Sequence, residues 1–229
     1  MSLLPGQLAQ SFAAVRGRMA DAAVRGGRSS EDVRLVAVSK SVDVQMVRLA
    51  QAQCGQDLFG ENRADELVQK VAACPGAEFH YVGPLQRNKV RKVVGAASLI
   101  HSVDSERLLR AVDARALHLG ICQDVLVQVS ISGEDAKQGI APGELDGLLQ
   151  MANEELRAVQ INGLMTMAPF ADEKEIRWIF EDLRKLKESS DRDGPRVTLR
   201  ELSMGMTGDF ESAIEEGATL VRIGTALFA

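Results

Sequence analysis

The sequence has 229 residues, of which 45% are hydrophobic and 26% are charged, and its formal net charge is −5. This composition excludes a wholly disordered chain, and the negative charge disfavours a general binder of nucleic acid or anionic membranes. The three cysteines form no CxxC pair, and no stretch approaches the roughly 18 apolar residues of a membrane span. We therefore expect a cytoplasmic protein with reduced thiols and without a membrane segment or a metal site.

Strands and helices are predicted to alternate along almost the whole chain. A helix over residues 5–25 opens it, and the apolar, β-branched run at 34–40 predicts the first strand. Apolar positions at i, i+3, i+4 and i+7, here Ala64, Leu67, Val68 and Val71, predict a helix over 63–73. Further strands are predicted at 57–62, 78–85, 98–103, 124–132, 160–167, 200–206 and 219–223, and further helices at about 44–54, 86–94, 106–119, 142–155, 173–188 and 210–216. Ser105 is placed to cap the helix at 106–119, because its hydroxyl can accept a hydrogen bond from a first-turn amide.

Eight strands separated by helices require parallel pairing through right-handed crossovers. The fold class we predict is therefore α/β, a single (β/α)8 TIM-type barrel domain over residues 1–229 with an extra N-terminal helix. An open doubly wound sheet is the alternative. No GxGxxG motif follows the first strand, which weakens the case for a dinucleotide-binding fold.

Reactive side chains gather where the predicted strands end. Lys40 ends the first strand; such a lysine alone usually begins a solvated loop, but the C-terminal rim of a barrel is where catalytic and binding groups converge. The segment 203–207 has hydroxyls and a glycine suited to holding an oxyanion, and Gly224 and Thr225 follow the last strand. Phosphate is commonly held after strands seven and eight of a barrel.

An amine, a phosphate seat and an arginine together suit pyridoxal 5′-phosphate (PLP). Its aldehyde forms a Schiff base with lysine, and its phosphate anchors the other end of the molecule. Arg222 beside the pyridine nitrogen would keep that nitrogen unprotonated and weaken the ring as an electron sink.

Several motifs resemble those of the pyridoxal phosphate homeostasis protein family, which is similar to the barrel domain of alanine racemase without its second, β-rich domain. They are VAVSK at 36–40, FGEN at 59–62, FHYVGPLQ with NK at 79–89, HSVD at 101–104, GLM at 163–165, LSMGM at 202–206 and VRIGT at 221–225. The resemblance covers nearly the whole chain. It departs from the family pattern at Ser41, Val42 and Asp43 after the lysine, at Arg63, and at residues 208–210.

The resemblance implies a role for each rim residue. Lys40 would carry the Schiff base, Arg222 would face the pyridine nitrogen, and Asn62 would line the cofactor face. The phosphate seat would comprise Ser203, Thr207, Gly224 and Thr225. It also implies a protein of intracellular vitamin B6 homeostasis that holds PLP without robust catalysis. Apo forms of PLP-dependent enzymes are candidate recipients, and a monomer is expected.

An enzyme is the alternative function. A PLP-dependent racemase needs a base on each face of the cofactor, and the single tyrosine, Tyr81, is not placed opposite Lys40 by anything in the sequence. A class I aldolase also uses a barrel lysine, but normally one late in the chain.

We expect His80 and His101 to be hydrogen-bonded core residues. Lys137 is expected to be solvated, with a second amine for the cofactor as the alternative.

Overall fold

A computed structural model of the chain describes residues 5–133, 139–169, 172–190 and 194–229. Eight parallel strands form a closed barrel in sequence order, because β1 is hydrogen-bonded to both β2 and β8. The predicted barrel is thereby confirmed, and the open sheet is not formed. The strands are β1 (Arg34–Val38), β2 (Leu58–Glu61), β3 (Glu78–Tyr81), β4 (Leu99–Val103), β5 (Gln123–Gln128), β6 (Val159–Met165), β7 (Val197–Ser203) and β8 (Leu220–Ile223).

Helices follow the strands in alternation, and one further helix precedes the barrel as predicted. They are α1 (Pro5–Arg25), α2 (Val44–Cys54), α3 (Ala64–Ala73), α4 (Val90–Val93), α5 (Glu106–Leu119), α6 (Leu145–Glu155), α7 (Glu173–Ser189), α8 (Phe210–Glu215) and α9 (Thr225–Phe228). Across the described ranges, none of these helices is both long enough and apolar enough to cross a membrane.

Two helices begin at residues whose side chains accept a hydrogen bond from a backbone N–H of the first turn. The Ser105 hydroxyl accepts from Leu108 N at 3.3 Å, as the sequence predicts for α5. Asp43 accepts from Met46 N at 2.8 Å and caps α2. The departure of Asp43 from the family pattern therefore has a structural role in starting the helix after Lys40.

The first strand is shorter than predicted. β1 ends at Val38, and Val42 N donates to Ser39 O at 3.0 Å, so the chain turns here instead of continuing the ladder. Ser41 occupies the turn at φ 62°, a left-handed conformation that non-glycine residues seldom adopt. The prediction that Lys40 lies on the strand is wrong: it lies in the turn that follows.

Apolar packing forms two regions, one inside the barrel and one between the strands and the helices. The inner cluster comprises Val36, Leu58, Leu99, Leu126, Met165 and Leu220. The outer region includes one face of α1, whose Leu8, Phe12, Val15 and Met19 are all buried. These apolar side chains share the barrel interior with buried polar residues, which are described below.

Helix α3 does not bury all the apolar positions that predict it. Ala64 and Leu67 are buried, but Val68 is 44% exposed and Val71 is 37% exposed. Lys70 is buried instead, at 3% exposure. The helix is rotated toward Lys70 because a buried carboxylate on β2 binds its amine, as described below.

Candidate functional site

The rim residues expected from the sequence lie at the C-terminal ends of four consecutive strands, β7, β8, β1 and β2, which are neighbours in the closed barrel. Parallel strands bring these ends to one face. Lys40 is exposed in the turn after β1, and Asn62 directly follows β2. Ser203 ends β7, Thr207 lies between β7 and α8, and Arg222 belongs to β8. Gly224 joins β8 to α9, and Thr225 is the first residue of α9.

Arg222 is a cation held inside the barrel, with only 5% of its surface exposed. Its Nη1 donates to Ser203 Oγ at 2.5 Å and its Nη2 donates to Thr166 O at 2.9 Å. Burial lowers the pKa of Arg222 to about 10, which still leaves it charged at neutral pH. A guanidinium has five N–H donors, and these two hydrogen bonds use two of them.

Ser203 is placed differently from the expectation that it binds phosphate. Its side chain is fully buried, and its hydroxyl accepts from Arg222 and is hydrogen-bonded to His101 Nδ1 at 2.8 Å. Both partners lie inside the barrel, whereas a phosphate seat requires a hydroxyl directed at the rim. In this structure the Ser203 hydroxyl therefore contacts Arg222 and His101, and its contact with a phosphate stays a prediction.

His80 and His101 are buried and hydrogen-bonded, as the sequence predicts, and the structure shows that they bond to each other. His101 Nε2 lies 2.9 Å from His80 Nδ1, and His80 Nε2 lies 3.0 Å from Glu78 Oε1. Burial lowers the pKa of His80 and lowers the pKa of His101 well below its usual value. Both imidazoles are therefore neutral at pH 7.

Buried neutral histidines make stability depend on pH. In the unfolded chain both rings bind a proton as pH falls below about 6.5, whereas in the folded chain their lowered pKa values shift proton binding to lower pH. Their contribution is therefore present above that pH and is lost below it. We expect the free energy of unfolding to decrease between pH 6.5 and 5 by up to about 1.4 kcal/mol per pH unit for each histidine.

Urea unfolding at a series of pH values measures this slope. His101→Gln should reduce it, and His118→Gln, which removes a histidine from the exposed end of α5, controls for the loss of one histidine. A free energy of unfolding that is constant or increases from pH 6.5 to 5 would contradict the neutral state of the pair.

Two glycines bring the backbone close together at the expected phosphate seat. Gly205 has φ +90°, and a Cβ there would lie 2.6 Å from Ala213 Cβ. A Cβ on Gly224 would lie 3.0 Å from Val38 O. Thr207 is half-buried in the turn before α8, and Thr225 begins α9, whose first N–H groups have no acceptor within the helix. Arg222 N donates to Gly205 O at 2.9 Å, so the segment that carries Gly205 lies beside the strand of Arg222.

Asn62 supplies a buried amide oxygen that has no hydrogen-bond partner among the described residues. Leaving such an atom unpaired costs about 1–3 kcal/mol. Its backbone is fixed, because Tyr81 Oη donates to Asn62 O at 3.2 Å and Gly83 packs directly against it. The unpaired amide therefore fits a ligand that supplies a polar group at the rim.

A buried ion pair lies behind the Lys40 turn, and the sequence reasoning missed it. Lys70 Nζ donates to Glu61 Oε1 at 2.6 Å and to Ser39 O at 2.7 Å, and Ser39 Oγ donates to the same carboxylate oxygen at 2.5 Å. Ser39 directly precedes Lys40, so this cluster fixes the backbone that presents Lys40. A lysine in the middle of α3 and a glutamate in an otherwise apolar strand were the available signals.

Two other expectations concern metal binding and Lys137. The described residues contain no group of three or more histidine, cysteine, aspartate or glutamate side chains that could hold a metal ion. Lys137 lies outside the described residues.

Sequence comparisons connect the chain with known proteins. The profile of the family "Alanine racemase, N-terminal domain" matches residues 20–229. The pyridoxal phosphate homeostasis protein of Aquifex aeolicus is 41% identical, with 92% of each chain covered. That of Deinococcus radiodurans is 39% identical over 96% of this chain and 100% of the relative.

Solved structures agree with the sequence comparisons. PipY of Synechococcus elongatus superposes with a TM-score of 0.86 at 36% identity without PLP, and 0.83 at 35% identity with PLP bound. Both matches cover 97% of this chain and 100% of PipY. Alanine racemase of Clostridium difficile shares the fold, with a TM-score of 0.69 at 16% identity over 86% of this chain and 51% of the racemase. The chain therefore belongs to the alanine racemase N-terminal domain family and, within it, to the pyridoxal phosphate homeostasis proteins.

Proposed function

We propose that this protein binds pyridoxal 5′-phosphate at the C-terminal rim and serves PLP homeostasis, with residues 1–229 acting as one barrel domain. The observation that carries the proposal is the pairing of an exposed amine with a buried cation on neighbouring strands: Lys40 follows β1, and Arg222 lies in β8. PipY, a relative at 35% identity, has been solved with PLP bound, which supports the same ligand here.

Each rim residue has a task in this proposal. Bound PLP supplies an aldehyde that condenses with an amine to a Schiff base, and a pyridine ring that withdraws electrons. Lys40 provides the amine, and Arg222 offers an N–H to the ring nitrogen. Asn62 contributes its unpaired amide at the cofactor face. Thr207, Gly224 and Thr225 hold the phosphate, while Ser203 supports Arg222 from within the barrel.

The arrangement favours holding the ligand over racemisation. A racemase needs a second base on the face opposite the lysine. Tyr81, the single tyrosine, is 2% exposed, and its hydroxyl donates to Asn62 O and Pro84 O at 3.2 and 3.3 Å. Burial raises the pKa of Tyr81, which makes proton release harder. Its hydroxyl therefore braces the backbone and is unsuited to act as the second base.

A homeostatic protein must also release its ligand. We propose that the apo forms of PLP-dependent enzymes receive PLP from this protein, which acts in the cytoplasm as a monomer. Arg222 near the ring nitrogen suits storage, because a permanent cation there weakens the ring as an electron sink and so suppresses side reactions of bound amino acids.

Titration with PLP tests the proposal. We expect protein freed of ligand to gain a stoichiometric visible absorption band, and alanine enantiomers to interconvert no faster than with free PLP. The absence of a band would overturn PLP binding. Racemisation well above the rate with free PLP would overturn the non-catalytic role and favour the racemase alternative.

A further inference from the structure

A chain of hydrogen bonds crosses the barrel interior from Arg222 to Glu78. It passes from Arg222 to Ser203 at 2.5 Å, from Ser203 to His101 at 2.8 Å, from His101 to His80 at 2.9 Å, and from His80 to Glu78 at 3.0 Å. The five side chains belong to β8, β7, β4 and β3. Ser203, His80 and His101 are each at most 1% exposed, so water does not reach the middle of the chain.

The two ends fix the direction of every bond. A guanidinium can only donate, and an ionised carboxylate can only accept. Ser203 accepts from Arg222 and therefore donates its own proton to His101 Nδ1. His101 then donates from Nε2 to His80 Nδ1, and His80 donates from Nε2 to Glu78. Because burial lowers the pKa of both imidazoles, both are neutral at pH 7, and each then carries its proton on Nε2.

The titration behaviour of these groups agrees with that direction. The hydrogen bond from His80 lowers the pKa of Glu78 to about 2, so its carboxylate is ionised at neutral pH. Reversing the chain would require a protonated Glu78 and a proton acceptor on Arg222, and neither is present. A chain with all its bonds aligned polarises each member, which strengthens the bonds cooperatively.

We propose that Ser203, His101, His80 and Glu78 position Arg222 toward the ring nitrogen of bound PLP, with Glu78 as the counter-charge at the far end of the chain. This inference rests on the proposed function and deepens it, because it makes residues that do not reach the rim responsible for the electronic state of the ligand. The four are positioning residues, since they act on the ligand only through Arg222.

Glu78 lies at the opposite end of the barrel from Lys40. It lines a cavity of about 480 Å³ together with Arg16, Arg34 and Asp57, and 46% of its side chain is exposed. Ser98 Oγ also donates to it, at 3.0 Å. Replacing Glu78 therefore perturbs the hydrogen-bond chain at its solvent-accessible end without creating a cavity in the core.

Nitrogen-15 NMR of the two imidazoles tests the hydrogen-bond chain in protein without any ligand. We expect the rings of both His80 and His101 to be neutral and protonated at Nε2 at pH 7. Protonation at Nδ1 of either ring would overturn the proposal, because the chain would then run in a different direction.

The absorbance and affinity of bound PLP test its effect at the rim. In Glu78→Ala, His80 loses its acceptor, so we expect the absorption maximum at saturating PLP to shift and the affinity to fall about tenfold. His101→Leu, which breaks the chain at its centre, should shift the maximum in the same direction. The matched control is Glu201→Ala, because Glu201 lies at the same end, paired with Arg34 at 3.1 Å, and is outside the chain.

An unchanged absorption maximum and affinity in Glu78→Ala would overturn the proposal, even if His101→Leu failed to fold. An equal shift of the absorption maximum in Glu201→Ala would also overturn the proposal. The loss of a negative charge at that end of the barrel would then explain the shift without the hydrogen-bond chain. If wild-type protein formed no PLP adduct, this inference would fall together with the proposed function, and the imidazole signals would still report whether the chain exists.

Discussion

Lys40→Ala is expected to abolish the covalent PLP adduct, so that the visible absorption band of the wild-type protein is lost. Lys40 is the exposed amine presented by the turn after β1, next to the strand that carries Arg222. The phosphate seat and Arg222 remain in the variant, so we expect residual non-covalent binding that is at least about tenfold weaker. Titration followed by absorbance, and dialysis followed by phosphate analysis, measure the two effects separately.

Two further variants separate covalent chemistry from charge. Lys40→Arg keeps the positive charge but cannot form the adduct, so it should lack the band as Lys40→Ala does. Lys89→Ala removes another lysine that follows a strand end, after β3, and should keep the band. A Lys40→Ala protein with the wild-type band would show that a different amine holds the ligand.

Lys70→Met is expected to cause the largest loss of stability among these variants. The substitution leaves the carboxylate of Glu61 buried without its cation, and breaking one side of a buried pair costs about 3–5 kcal/mol. The free energy of unfolding of a domain is only about 5–15 kcal/mol, so the variant should unfold at much lower urea concentration. It also releases Ser39 O, so the Lys40 turn should loosen and PLP should bind more weakly.

The double variant Lys70→Met/Glu61→Met is expected to be more stable than Lys70→Met, because neither charge is then buried alone. Lys185→Met is the matched control: Lys185 pairs with Glu181 at 2.8 Å on the exposed face of α7. Solvent screens that pair, so the control should unfold almost as the wild type does. A Lys70→Met protein as stable as this control would contradict the importance of the buried pair.

Strand and helix order could be predicted from the sequence because hydrophobic periodicity depends on residues close in the chain. The eight-strand barrel, the N-terminal helix and the Ser105 cap are all confirmed. The strand ends were less predictable. β1 stops at Val38 because the chain turns at residues 39–42, and no apolar pattern marks that turn.

Contacts between distant residues were not predictable in the same way. Ser203 was assigned to the phosphate seat by its position in a motif, but its partner His101 lies 102 residues away in sequence. The rotation of α3 toward Lys70 depends on Glu61, which belongs to a different element. Polar residues within apolar strands were the available signal, since each must find a buried partner. The sequence did not indicate which partner.

Mass spectrometry of the borohydride-reduced wild-type protein identifies the amine that holds PLP. Reduction fixes PLP on the amine that holds it, and peptide mapping then identifies that amine. We expect one pyridoxyl group per protein molecule, located on Lys40. A label on another lysine, a label spread over several lysines, or no label at all would contradict it.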